Sequence, residues 1–135
     1  MLDIETLKFD PRGDGRGFLV PLEGSQDIPF NIERIYYIGD VPEGVTRGAH
    51  AHKDLEQVLI CVHGSCTILL DDGYEKTTIE LTDPFTGILL HSMIWREMYN
   101  FSPDCVLLVL ASKHYSEDDY IRDYDTFLDQ IGVRR

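Results

Sequence analysis

The sequence predicts an all-β protein, a sandwich or closed barrel, on three observations. Short runs rich in Ile, Val, Leu, Tyr and Thr recur along the chain, each ended by a turn signal. Helical spacing is confined to the tail. The 135 residues, 43% of them hydrophobic, suit one core, so a single domain over residues 1–135 is expected. Eight short strands at this spacing roll or stack more readily than they lie flat.

Taken in order, Leu2–Phe9 is expected to be an edge strand, open to exchange between two copies of the chain. Strands are then predicted at Phe18–Leu22, Ile32–Ile38, Gln57–Val62, Cys66–Leu70, Lys76–Leu81, Gly87–Leu90, Ile94–Tyr99 and Val106–Ala111. Asp71-Asp72-Gly73 predicts a tight primed hairpin turn, because Asp-Gly tolerates positive φ. His63-Gly64-Ser65 is a second turn. In the tail, Ser116-Glu117-Asp118-Asp119 reads as a capping box, and Tyr120, Tyr124, Phe127, Leu128 and Ile131 recur at helical spacing. One or two short helices packed outside the sheet follow, with the acids between Glu117 and Asp129 on a solvated face.

The charge excludes some partners. With 24 acidic against 12 basic residues the net charge is −12, the wrong sign for general attraction to nucleic acid or an anionic membrane. The longest apolar run, Cys105–Ala111, is too short to span a bilayer, and the opening residues lack the features of a signal peptide, so a cytoplasmic location is expected. Cys61, Cys66 and Cys105 show no zinc or disulfide spacing and are read as buried thiols.

The chemistry concentrates in Gly44-Val45-Thr46-Arg47-Gly48-Ala49-His50-Ala51-His52, followed by Gln57 and Gly64. Strand alternation aims both imidazoles into one space and the alanines away from it. Beside arginines and out of water, the pair stays neutral, and a neutral imidazole is a general base.

This stretch resembles the first motif of the cupin superfamily: Gly, five residues, His-x-His, three or four residues, Glu, six residues, Gly. Gly44, His50, His52 and Gly64 match, with Gln57 in the glutamate position. The second cupin motif falls on His91-Ser92-Met93-Ile94-Trp95-Arg96, which puts Arg96 where the last metal ligand belongs. A neutral amide and a permanent cation in place of two ligands disfavour a divalent ion, so neither metal nor other cofactor is expected. Glu56, one residue from the ligand position, would face the opposite side of the strand.

A closer resemblance spans nearly the whole chain. Asn31–Ile38, Arg47–Leu59, Leu70–Gly73, Trp95–Phe101, Val109–Ser112 and Asp119–Tyr124 look like the dTDP-4-keto-6-deoxyglucose 3,4-ketoisomerases, small cupins that need no metal. The resemblance implies a cupin jelly roll (double-stranded β-helix), a homodimer, and a dTDP-linked 4-keto-6-deoxy sugar as substrate. The product would serve dideoxy or 3-amino sugar biosynthesis for lipopolysaccharide or another surface glycan. It makes His50 the base at sugar carbon 3, His52 a proton shuttle between the oxygens on carbons 3 and 4, and, of the neighbours Tyr36 and Tyr37, puts Tyr37 in the site.

Substrate-binding candidates are Arg47, Arg16, Gln57 and Arg96. Arg47 suits a diphosphate or oxyanion but equally a rim ion pair, and Arg16 belongs either to a Gly-rich loop near the sugar or to turn surface. Trp95 and Phe101 read as core. The rival functions are a metal-free sugar-nucleotide epimerase, a metal-dependent cupin oxygenase, and a non-catalytic sugar-binding cupin.

Overall fold

The computed structural model describes residue 2 and residues 4–133. Its strands are β1 (Glu5–Lys8), β2 (Arg12–Asp14), β3 (Gly17–Leu19), β4 (Arg34–Gly39), β5 (Arg47–His52), β6 (Gln57–His63), β7 (Cys66–Asp71), β8 (Lys76–Leu81), β9 (Thr86–Leu90), β10 (Trp95–Tyr99), β11 (Val106–Ala111) and β12 (Tyr120–Ile121), and the helix is α1 (Tyr124–Gln130). Two five-stranded sheets run β1-β9-β6-β11-β4 and β12-β5-β10-β7-β8, and β2 and β3 form a separate hairpin. All strand pairs are antiparallel. The chain crosses repeatedly between the two sheets, as the jelly roll implied by the cupin resemblance requires.

The sheets bury Leu59, Cys61, Ile88, Leu107 and Val109 of the first against Ile68, Leu70 and Met98 of the second. Strand β6 is apolar without alternation because its outer face is covered too: Val58 and Ile60 pack under Phe9, Ile28 and Phe30. Behind β5 and β10, α1 seats Phe127 and Leu128 on Ala51, Trp95 and Ile121. Trp95 is therefore core, with its ring centroid 5.2 Å from that of Tyr124. Strand β1 completes the first sheet by pairing with β9 of its own chain, Glu5 opposite Leu89.

Three local expectations are corrected. The expected strand at Phe18–Leu22 shortens to Gly17–Leu19, where Phe18 and Leu19 remain exposed in a hairpin outside both sheets. The connection after Asp71 is a four-residue loop rather than a two-residue primed turn: Gly73 alone takes positive φ, and the Asp72 carboxylate accepts from the backbone of Tyr74 and Glu75. In the tail, the Ser116 side chain makes no capping bond, Glu117–Asp119 is a single 3-10 turn, and Tyr120 lies in a strand. The helix starts later, where the Asp123 carboxylate accepts from the Thr126 amide at 3.0 Å. Among the described residues no helix is long and apolar enough to cross a membrane.

Candidate active site

Strand β5 brings the two histidines together as its alternation requires. Ala51 faces the helix and is fully buried, whereas the rings of His50 and His52 point into the roll with centroids 4.8 Å apart and planes at 83°. Tyr120 completes an aromatic trio, 4.9 Å from His50 and 4.4 Å from His52. It is held there because β12 pairs with β5, Tyr120 opposite His52.

The two imidazoles occupy different depths. His50 is half-buried and lines a cleft of about 240 Å³ with Tyr36, Ile38, Arg47, Gly48, Met98, Tyr120 and Arg122. His52 is fully buried behind it. Its Nδ1 lies 2.9 Å from the Asp119 carboxylate, whose other oxygen accepts the Asp54 amide at 2.7 Å. A carboxylate only accepts, so Nδ1 carries the proton; Nε2, buried with no hydrogen-bond partner, is left with a free lone pair.

The buried cation opposite the histidines is Arg96, paired with His50 across β10 and β5. Its guanidinium donates to Gln57 Oε1 and, through Nε at 3.2 Å, to the Ile94 carbonyl, while one terminal nitrogen has no partner. Gln57 passes the bond on, Nε2 donating to the Tyr36 hydroxyl at 3.1 Å. Burial lowers the Arg96 pKa to about 10, so the group is still cationic at neutral pH. Burial first, and the Arg96 charge second, push both His50 and His52 down to about 3, and both are neutral bases at pH 7. The Asp119 carboxylate fixes the orientation and tautomer of the His52 ring. Burial raises the Tyr36 phenol above its ordinary value, so it too keeps its proton.

These positions bear on the residues singled out in the sequence. His50 and Arg47 line the cleft, and His52, Gln57 and Arg96 lie behind it, with the Gln57 amide engaged by protein partners on both ends. Tyr37 does not reach the cleft: it is 74% exposed on the outer face of β4, opposite Leu108, whereas Tyr36 pairs with Val109 of the interior. The alternation that left one tyrosine inside therefore selects Tyr36. Arg16 is turn surface, bonded to Asp14 at 2.7 Å in the β2–β3 hairpin and absent from the cleft lining. Glu56 is turned away as expected, paired at 3.1 Å with the exposed His91.

Asp119, Tyr120, Arg122 and Arg34 were not read as site residues. Arg122 stacks 4.2 Å over Tyr120 and binds Glu117, and Arg34 lies over Tyr36 at 5.4 Å. Asp119, grouped with the solvated acids, is instead spent on His52. The available signal was the identity of the tail residues Asp119–Tyr124; a two-residue strand has no periodicity to read. Arg47 and Arg122 at the mouth, with Arg34 over Tyr36 and the buried Arg96 behind, make the site locally positive in a chain of net charge −12. The position a metal-binding cupin gives to its carboxylate and last imidazole is thus filled by an amide and a cation, a donor set that does not fit a divalent ion.

The family model described as "FdtA: WxcM-like, C-terminal" matches residues 2–132. A TDP-4-oxo-6-deoxy-α-D-glucose 3,4-oxoisomerase from Aneurinibacillus thermoaerophilus is 48% identical over 131 residues, covering 97% of this chain and 94% of the relative. A solved 3,4-ketoisomerase from Helicobacter canadensis is 51% identical with a TM-score of 0.93, covering 97% of this chain and 98% of that one. A histidine-to-asparagine mutant of the 3,4-ketoisomerase QdtA from Thermoanaerobacterium thermosaccharolyticum, in complex with TDP-4-keto-6-deoxyglucose, is 48% identical with a TM-score of 0.93, covering 96% and 94%. The family model and these relatives span almost the whole chain, and the chain belongs to the FdtA family of cupin-fold sugar 3,4-ketoisomerases.

Proposed function

We propose that the cleft moves the ketone of a dTDP-linked 4-keto-6-deoxyhexose from carbon 4 to carbon 3. The ketone acidifies the hydrogen on carbon 3, and His50 removes it to give an enediolate. His52 takes the proton from the oxygen on carbon 3 through Nε2 and returns it to the oxygen on carbon 4. His50 then protonates carbon 4, and the ketone remains at carbon 3; atoms and electrons balance with no redox partner.

Gln57 donates to the Tyr36 oxygen, which leaves the phenolic hydrogen free to donate to the developing enediolate. Arg47 and Arg122 at the rim supply cations for the diphosphate. Arg96 holds Gln57 and, second to burial, keeps both imidazoles unprotonated.

The observation that carries the reading is the neutral, cleft-facing His50 backed by a His52 whose free Nε2 is fixed by Asp119. Incubating the protein with the 4-keto nucleotide sugar in D2O, with a 3-aminotransferase to trap the product, tests it. Proton NMR should show a 3-amino product with deuterium at carbon 4. Inverted centres with the ketone still at carbon 4 would make the protein an epimerase, and binding without exchange a sugar-binding cupin.

The working unit in this reading is a cytoplasmic homodimer. What supports the dimer is the outer face of edge strand β4, where Ile35 and Tyr37 stand 59% and 74% exposed. The product, a 3-keto sugar nucleotide, suits a following amination toward a surface glycan.

A further inference from the structure

The three cysteines, scattered in sequence, converge in space. Cys61 lies in β6, Cys66 opens β7 beyond the turn at Gly64, and Cys105 directly precedes β11. Their sulfur atoms all lie within 4.8 Å of one another, and those of Cys61 and Cys105 are 3.5 Å apart. Each residue is at most 3% exposed, set among Leu59, Ile68 and Leu107. Among the described residues no other group of His, Cys, Asp and Glu comes together in this way. The reaction at the histidine cleft makes no use of them.

We propose that Cys61, Cys66 and Cys105 form a closed three-sulfur site for a trivalent thiophilic metalloid of the arsenite type. Bonds to sulfur of ~2.3 Å, as for zinc, hold the sulfurs of a three-coordinate centre about 4 Å apart, or closer if it is pyramidal. The observed triangle needs little movement to reach that. Charge selects the ion. Three thiolates around a monovalent soft cation leave −2 and around a divalent one −1, with no buried cation among the described residues in the cluster around them to offset either, and a buried net charge is costly. Around a trivalent centre the complex is neutral. Zinc also needs a fourth ligand, and the neighbouring polar side chains, His63 and Asp104, are exposed and paired with each other.

The exchange balances without electron transfer. Three thiols and arsenous acid form three arsenic–sulfur bonds, three arsenic–oxygen bonds break, and the thiol protons leave with the hydroxyls as three waters. All three thiols supply the protons that the departing hydroxyls need, and the Cys61 thiol, which donates to the His63 carbonyl at 3.1 Å, gives up that bond when it joins the arsenic. Entry follows opening of the turn over the site, which is closed by two bonds between Ser65 and Ser102, at 2.8 and 2.9 Å.

The test is prolonged incubation of the reduced, folded protein with arsenite and no added thiol, followed by desalting and native mass spectrometry. One arsenic per chain with loss of three protons is expected, and X-ray absorption should show three sulfurs on the arsenic. Cys61→Ser, Cys66→Ser and Cys105→Ser should each weaken retention by at least about 100-fold, since even changes behind the ligands cost metal sites 10–100-fold. Binding of dTDP serves as the check that each variant is folded. If a serine variant does not fold, the sulfur count on the wild-type protein decides alone. The proposal is overturned if folded protein retains no arsenic, if arsenic carries only two sulfurs, or if equimolar Zn²⁺ displaces it.

Discussion

Replacing Asp119 by Asn tests how the site controls a single proton. The Asp54 amide donates to one oxygen of the side chain at 2.7 Å, and an Asn carbonyl would retain that bond. The amide nitrogen must then face His52 Nδ1, where the carboxylate now sits at 2.9 Å. An NH2 group donates, so Nδ1 must become the acceptor and the proton moves to Nε2. The shape is nearly unchanged, yet His52 can no longer take a proton from the sugar oxygen without first breaking that arrangement. A hydrogen bond to a charged group is worth about 1.5–3 kcal/mol, so turnover should fall roughly 10- to 150-fold. The assay is the aminotransferase-coupled rate, set beside solvent exchange at carbon 3 and calorimetric dTDP binding. Exchange and binding should persist, because His50 is untouched. Turnover within threefold of wild type in a folded Asp119→Asn protein would refute the tautomer argument.

The remaining expectations concern neighbouring groups. His50→Asn should cut turnover by at least about 10² and abolish carbon 3 exchange with dTDP affinity kept, while His52→Asn should slow product formation yet leave exchange; the reverse pattern exchanges their roles. Tyr36→Phe should lower kcat about tenfold with KM little changed, whereas Tyr37→Phe should leave kcat alone, which steady-state kinetics on the pair decides. Both histidines bind protons more tightly unfolded, near 6.5, than folded, about 3, so their contribution to stability is complete above 6.5 and is lost as pH falls toward 3. Tm should therefore drop between pH 7 and 4, and less steeply in the His50→Asn/His52→Asn double variant. Gly64→Ala should destabilise by about 1–3 kcal/mol in denaturant titrations, since its Cβ would sit 2.4 Å from Ser102 Oγ at a φ of +71°.

The strands were legible where one face meets the core. Lys76–Leu81 and Val106–Ala111 match their predicted limits, and Gln57 and Cys66 open their strands as expected, because burial on one or both faces writes itself into the residue pattern. The exposed strand β2 and the two-residue β12 left no such trace, and β3 begins one residue before and ends three residues before the predicted limits. His50, His52, Arg47, Gln57 and Arg96, which a motif on β5 and its neighbours singles out, lie at the cleft or directly behind it. Tyr120, Arg122 and Asp119 join through one short pairing across 68 residues of chain, Tyr120 to His52, and long-range register is invisible to local pattern. The three thiols were hidden for the same reason. Tyr37 was chosen over Tyr36 by resemblance, and only the register of β4 on β11 separates them.

Because His50 and His52 share one strand, the cleft-facing imidazole and the buried one behind it are set by the pleat itself and not by a loop. Substitution and length change should then be tolerated very differently in the history of this site. A side chain on β5 can be exchanged with only its own contacts at stake. One residue inserted between Arg47 and His50 would instead turn the histidines toward the apolar seat of Phe127 and Leu128 and deliver alanine to the substrate. Descendants of such a protein can diversify at the rim, through Arg47 and Arg122, while the length of this strand stays frozen.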